Sequence, residues 1–163
     1  MINERNTMSE TSYEDQCLAL FPGSQNARIG PSGNVKIKNL GIDALPQGKR
    51  LKSGMSFQSN SVAHIVEHDG YIWPLHVGST FPGEPGGEAY AVISEPAKIG
   101  TRAADDILAS YDKSVAEGSR QDMPKDLLPT IKNCQEFLKN RPEPMREPLL
   151  YGETAWNTSP SSP

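Results

Sequence analysis

The sequence predicts an α+β fold, in which a small five-stranded, mostly antiparallel sheet or barrel over about residues 33–95 is followed by two helices. Apolar residues alternate with polar ones through the middle of the chain, which is typical of half-buried strands. After Thr101 they recur at spacings of three and four, which is typical of amphipathic helices. Glycine and proline number 14 each and apolar residues make up only 36%, so we expect many turns and a core smaller than the chain.

The predicted organisation has one domain between two extended ends. Residues 1–11 are polar and are predicted to be a flexible arm, and residues 12–140 a single α+β domain. Residues 141–163 are rich in proline, which opposes helix formation and favours an extended tail.

Strands are predicted at 33–39, 50–58, 61–68, 71–77 and 88–95. In the first of them Val35 and Ile37 alternate with Lys36 and Lys38, which places the two lysines in water. Such lysines either protect a strand from edge-to-edge aggregation or contact phosphate groups. The sequence leaves both alternatives open.

The centre of the predicted sheet is a hairpin that turns at Asp69-Gly70. Asp-Gly favours a type I′ turn, because both central residues of that turn need a positive φ. Pairing across the turn places Val66 opposite Trp73. Both faces of the hairpin are largely apolar, so we expect it near the middle of the sheet. Pro74 has no N–H to donate, which predicts a bulge or a free edge beside it.

Helices are predicted at both ends of the domain. Ser12 is placed to cap a short helix that ends at Pro22-Gly23 and serves either as a lid on the sheet or as a recognition element. Thr101 is placed to cap a longer amphipathic helix, and Asp126 the last one.

Composition narrows the function classes. The net charge of −4 argues against a general nucleic-acid binder, but six basic residues lie between Arg28 and Lys52 against one acid, and a fold that gathers them would present a basic patch. Two cysteines outside any motif, no apolar signal segment and no membrane-length apolar run predict a cytoplasmic protein with reduced thiols. We expect no cofactor and no membrane contact.

One five-residue motif has the pattern of an enzyme. Residues 64–68 fit H-x-x-E-H, and in this motif the chain resembles the inverse zincin metallopeptidases. The resemblance implies a zinc ion held by His64 and His68 one helical turn apart, with Glu67 as general base. The Asp-Gly pair that follows stops a helix where that family continues one. On a strand the two histidines would stand roughly 13 Å apart at about 3.3 Å per residue, too far for one zinc ion.

A second alternative is single-stranded nucleic-acid binding by an OB-like barrel, for which five strands is the right number. Basic side chains would follow the phosphate backbone, and aromatic rings would stack on bases. The basic candidates are Lys36, Lys38, Lys49, Arg50 and Lys52, and the aromatic candidates are Phe57, Tyr71 and Trp73.

The favoured hypothesis is a small non-catalytic interaction protein, an accessory, inhibitory or assembly factor of the kind that phages and mobile elements encode. The sequence contains no recognisable catalytic triad or nucleotide-binding motif. The predicted partner is another protein, with nucleic acid as the alternative. The long loop after the hairpin and the tail would supply apolar anchors, which dock into the partner or back onto the domain. These anchors are Phe81, Leu149, Leu150, Tyr151 and Trp156.

Overall fold

The structure is a computed structural model that describes residues 12–56, 61–79 and 88–140. The helices in these ranges are α1 Tyr13–Leu18, α2 Arg102–Ala116 and α3 Ile131–Asn140. The strands are β1 Ala27–Ile29, β2 Val35–Leu40, β3 Lys49–Ser56, β4 Ser61–His68, β5 Tyr71–Ser79, β6 Ala89–Ile93, β7 Ala97–Lys98 and β8 Arg120–Asp122. They form one antiparallel sheet in the order β1-β2-β6-β5-β4-β3-β8, with β7 beside β5.

The prediction of five strands followed by two helices is wrong, because the sheet of the described residues has eight strands and one of them, β8, lies between the two later helices. The five expected strands lie close to their predicted positions, and β1, β7 and β8 are additional. β1 and β7 have only three and two residues, too few to show a hydrophobic period. β8 reads Arg-Gln-Asp and contains no apolar residue. These strands form because neighbouring strands offer unpaired edges, which local sequence does not reveal.

The predicted hairpin is confirmed as the centre of the sheet. Val66 pairs with Trp73 across the turn, and both turn residues have positive φ, 56° at Asp69 and 85° at Gly70. The Pro74 carbonyl accepts a hydrogen bond of 2.9 Å from the Ser94 N–H. The backbone nitrogen of Pro74 faces the same side as this carbonyl. On that side the chain leaves the sheet between β6 and β7, so the absent N–H interrupts no pairing between strands.

One face of the sheet is closed by α1 and α3. Cys17 and Leu20 from the N-terminal segment and Ile131 and Cys134 from α3 are buried in the main core, which confirms α1 as a lid. The Tyr13 ring stacks on the ring of Trp73 with centroids 6.4 Å apart. The remaining buried members from the strands are Val35, Ile37, Met55, Val62, Val66, Leu75, Val77, Ala89, Ala91 and Ile93.

The other face is covered in part by α2. Ala104 and Tyr111 of α2 pack on Ile65 and Ile72 of the central hairpin in a second, smaller core. Thr101 caps the helix as predicted, its side chain accepting from the Ala104 N–H.

The last helix starts later than predicted. It begins at Ile131 rather than after Asp126, because the Thr130 hydroxyl accepts from the Asn133 N–H at 3.0 Å and caps the helix there.

Among the described helices, none has the length and apolar character that crossing a membrane would need.

Candidate functional site

The candidate site lies on the face of the sheet that carries α2. Residues paired in register across antiparallel strands project to the same face. Arg28 pairs with Lys36, Lys36 with Val92, and Val92 with His76. One transverse row therefore runs from the edge strand β1 to the central strand β5, and it brings together two cations, an aliphatic side chain and an imidazole.

No helix of the described residues covers the part of this face over β1, β2 and β6. Arg28, Lys36 and Lys38 are exposed, while Val35 and Ile37 between them are fully buried on the other face. The helix α2 packs instead against β5, β7 and β8. We call this open area the basic face and define it as Arg28, Lys36, Lys38, Tyr90 and Val92.

Tyr90 is fixed on the basic face by its neighbours. The Lys36 ammonium lies 4.5 Å from the centroid of the Tyr90 ring, a cation–π contact. The ring packs against Gly78, where an added Cβ would come within 2.9 Å of the Tyr90 hydroxyl. The ring thus lies between the backbone and a cation, and its outer face is not free to stack on another ring.

The cations of the basic face have no acidic partner in the part of the chain that the structure describes. The ion pairs found there join Lys52 to Asp112 at 2.6 Å and Lys113 to Glu117 at 3.9 Å, both outside the basic face. Arg28, Lys36 and Lys38 therefore form a local positive surface on a chain whose net charge is −4.

Beside the basic face, a groove of about 430 Å³ runs between the sheet and α2. Its walls are apolar at the base, with Ala63, Ile65, Pro74, Leu75 and Ile107. Its polar lining comes from His76, Ser94, Asp106, Ser110, Tyr111, Ser114 and Arg120. Strand β8 places the Arg120 guanidinium at this groove by pairing with the outer edge of β3.

Arg120 is the most unusual group in the groove. Its Nε–H donates to the Ser114 hydroxyl at 3.3 Å, and its guanidinium lies 6.0 Å from the Tyr111 ring centroid. Its Nη1 atom is buried and has no hydrogen-bond partner among the described residues. Burial lowers the pKa of Arg120. Burial, and then the charge of Arg120, lower the pKa of His76, so the imidazole is neutral at pH 7 and leaves Arg120 as the cation of the groove.

The basic nucleic-acid candidates do not form one patch. Lys36 and Lys38 lie on β2, whereas Lys49, Arg50 and Lys52 lie on β3, with three strands between them. At about 4.8 Å per strand the two groups stand roughly 19 Å apart. Lys52 is also paired with a carboxylate of α2.

The aromatic candidates are placed mainly for packing. Trp73 is 1% exposed, and its indole N–H donates to the His68 carbonyl. Tyr71 is partly buried against the same core. Phe57 lies outside the described residues, as do the predicted partner-binding residues Phe81, Leu149, Leu150, Tyr151 and Trp156.

The residues of the H-x-x-E-H motif are not brought together. They lie on the strand β4, so His64 and His68 share a face roughly 13 Å apart at about 3.3 Å per residue, and Glu67 points to the other face. His64 is 1% exposed. In residues 12–56, 61–79 and 88–140, no three His, Cys, Asp or Glu side chains converge closely enough to hold a metal ion.

Neither cysteine is placed for nucleophilic chemistry. Cys17 and Cys134 are both buried and unpaired. Burial raises the pKa of each thiol to about 12, so neither forms a thiolate near neutral pH.

Comparisons of the chain with protein-family models, with curated proteins and with solved structures found no match.

Arg120, Ser110 and Ser114 escaped the sequence analysis. The two serines belong to no motif, and Arg120 follows their helix in a short polar segment without periodicity. No local pattern predicts that these residues meet, because the pairing of β8 with β3 brings Arg120 back to the groove.

Proposed function

We propose that this chain is a non-catalytic binding protein whose basic face holds an acidic segment of a partner protein. The observation that carries the proposal is the cluster of Arg28, Lys36 and Lys38, whose charges no acidic side chain of the described residues compensates. Unpaired cations on one face of an otherwise acidic protein steer an anionic partner to that face and favour one orientation of binding.

The chemistry of the described side chains supports binding rather than catalysis. His64, the most buried histidine, is held neutral because burial and then the charge of Arg50 lower its pKa to about 3. An imidazole with such a low pKa is a poor general base near pH 7. The two thiols are equally unreactive, since their pKa values are raised by burial.

The surroundings of the cations favour an acidic protein segment over single-stranded nucleic acid. Proteins that bind single strands combine a basic groove with aromatic rings on which bases stack. On the basic face the one aromatic ring, Tyr90, lies beneath the Lys36 ammonium. Trp73 is buried in the core. Carboxylates of an acidic protein segment can bind through cations alone, and Arg28, Lys36 and Lys38 are exposed.

The tail and the loop after β5 are proposed as additional contacts to the same partner. Leu149, Leu150, Tyr151, Trp156 and Phe81 are apolar residues in Pro- or Gly-rich sequence, a pattern typical of extended segments that dock in a groove. In this proposal the basic face supplies orientation and the apolar anchors supply buried area.

A pair of charge-matched variants tests the basic face. Arg28→Glu/Lys36→Glu/Lys38→Glu reverses its charge, and Lys49→Glu/Arg50→Glu/Lys98→Glu makes the same change at exposed residues elsewhere. Binding of a fluorescent deca-glutamate peptide is measured at low and at physiological salt. We expect the first variant to bind at least about tenfold more weakly, or about 1.4 kcal/mol. The control should stay near the wild type, and salt should weaken all binding.

The same assay with oligothymidylate separates the two partner classes. If both charge-reversal variants lose the same affinity for the acidic peptide, net charge and not the basic face determines binding. If the oligonucleotide binds and the acidic peptide does not, the nucleic-acid alternative replaces the proposal. Circular dichroism checks that both variants are folded.

A further inference from the structure

We propose that the groove between α2 and the sheet is a binding site for a small organic carboxylate, with Arg120 as its anchor. This site is separate from the basic face and would take a different class of ligand. Three features support this site: the Arg120 guanidinium with its one hydrogen bond, the composition of the groove walls, and the charges around the groove.

The guanidinium has hydrogen-bonding capacity that the described residues do not use. Its Nε–H reaches Ser114, but Nη1 is buried without a partner. No carboxylate of the described residues lies within ion-pair distance of Arg120; the nearby Asp122 instead accepts a hydrogen bond from the Tyr111 hydroxyl. A guanidinium that lines a groove without a carboxylate partner is placed to bind an anion there through charge-assisted hydrogen bonds.

The size and walls of the groove favour an organic ligand with an apolar body. A volume of about 430 Å³ falls within the range of small-molecule sites, which typically have apolar walls and a few fixed polar groups. Ile65, Pro74 and Ile107 supply the apolar walls, and Ser94 and Ser110 supply hydroxyl groups. A carboxylate with a short hydrocarbon or aromatic body matches this combination.

The charges around the groove favour a monoanion over a dianion such as phosphate. Arg120 of β8 is the cation that lines the groove, and Asp106 of α2 adds a negative charge at its exposed side. His76 of β5 is neutral near pH 7, because burial and Arg120 lower its pKa. A phosphate dianion would be left with uncompensated charge in a partly buried site.

The full-length protein, labelled with ¹⁵N and ¹³C, is titrated with 3-phenylpropanoate as the probe. Its neutral amide, 3-phenylpropanamide, and inorganic phosphate are titrated in parallel. We expect saturable shifts of the Arg120 Nε–H and Ser114 resonances with the carboxylate, and at least tenfold weaker binding of the amide and of phosphate. Bound carboxylate should also raise the pKa of His76, because it offsets the charge of Arg120, and the amide should not.

Two variants of Arg120 and one control locate the site. Arg120→Gln should lower the affinity for 3-phenylpropanoate at least tenfold. Arg120→Lys should retain part of that affinity, because lysine keeps the positive charge but lacks the planar guanidinium. Lys132→Gln, at an exposed residue of α3 on the opposite face of the sheet, should bind as the wild type does. If Arg120→Gln does not fold, Arg120→Lys and the His76 titration of the wild type still decide the question.

The proposal is overturned if millimolar 3-phenylpropanoate produces no saturable shift, or if the amide binds as tightly as the acid. Phosphate that binds more tightly than the carboxylate contradicts the ligand class. Equal losses of affinity from Lys132→Gln and Arg120→Gln contradict the location.

Discussion

At the residue scale, His64 shows how burial suppresses a group that the sequence presents as chemically active. Its Nδ1 lies 3.0 Å from the Ser53 hydroxyl, and its Nε2 is buried without a partner among the described residues. In either tautomer one ring nitrogen is left unsatisfied, which costs stability. Protonation would add a buried charge, so burial, and then the positive charge of Arg50, lower the pKa of His64 to about 3.

This burial predicts a pH dependence of folding. The unfolded chain binds a proton at His64 near the ordinary histidine pKa of 6.5, whereas the folded chain binds it only near 3. The stability from the neutral ring is therefore present above pH 6.5 and is lost as pH falls toward 3. The loss approaches about 1.4 kcal/mol per pH unit once the unfolded residue is protonated.

The variant His64→Gln tests this pH dependence, because glutamine is polar but does not titrate. Urea unfolding at intervals from pH 7 to pH 4 should show the variant less stable than the wild type at pH 7, with the difference narrowing as pH falls. Two stability curves that run parallel over this range would contradict the assignment. Direct NMR titration of the His64 ring should show no protonation above pH 4.

At the scale of elements, α2 and β8 approach the sheet closely at Gly54 of β3. A Cβ atom added there would lie 2.5 Å from the Tyr111 hydroxyl and 2.8 Å from the Gln121 carbonyl oxygen. From the sequence, Gly54 is expected to be a possible bulge, but the irregularity in the pairing of β3 with β4 lies between Arg50 and Lys52. The structure explains the glycine by this close contact, because α2 and β8 both pack where a side chain would otherwise stand.

The substitution Gly54→Ala should therefore destabilise the fold. We expect a loss of about 1–3 kcal/mol from overpacking, measured by urea unfolding, and faster hydrogen exchange in β8. Gly30→Ala is the matched control, since the nearest atom to an added Cβ there is 3.7 Å away. Its stability should be unchanged or higher by up to about 1 kcal/mol, because alanine restricts the unfolded chain. Equal stability of the two variants would exclude tight packing at Gly54.

At the scale of the whole molecule, the sheet has two unlike faces. Among the described residues, two helices close the first face over a continuous core, and one helix covers only part of the second. The open remainder carries the basic face, and the margin of α2 forms the groove. The first face therefore packs the core, and we propose that the second face binds other molecules.

Deletion of residues 142–163 tests the proposed role of the tail. If the tail binds a partner, the truncated chain should keep its unfolding midpoint within about 2 °C, because the core of residues 12–140 supplies its own packing. Affinity for a partner isolated with the full chain should fall at least about tenfold. The full-length variant Leu149→Ala/Leu150→Ala/Tyr151→Ala/Trp156→Ala should lose affinity equally, since it removes the anchors and keeps the length. A clear drop in the midpoint would show instead that the tail docks on its own domain.

The sequence by itself determined the elements with strong local patterns. The Asp-Gly turn, the hairpin register, the alternation of lysine and aliphatic residues in β2, and the cap at Thr101 all follow from backbone preferences or side-chain periodicity. These patterns act between residues that are near in sequence, so they can be recognised without the fold.

Only the tertiary structure decided which distant residues meet. The position of β6 beside β2 separates Lys36 from Lys52 and places Tyr90 under the Lys36 ammonium. The pairing of the wholly polar β8 with β3 brings Arg120 to the groove. Both results depend on hydrogen bonds between strand edges remote in sequence, and such pairing is selected by the packed sheet as a whole and not by any local pattern.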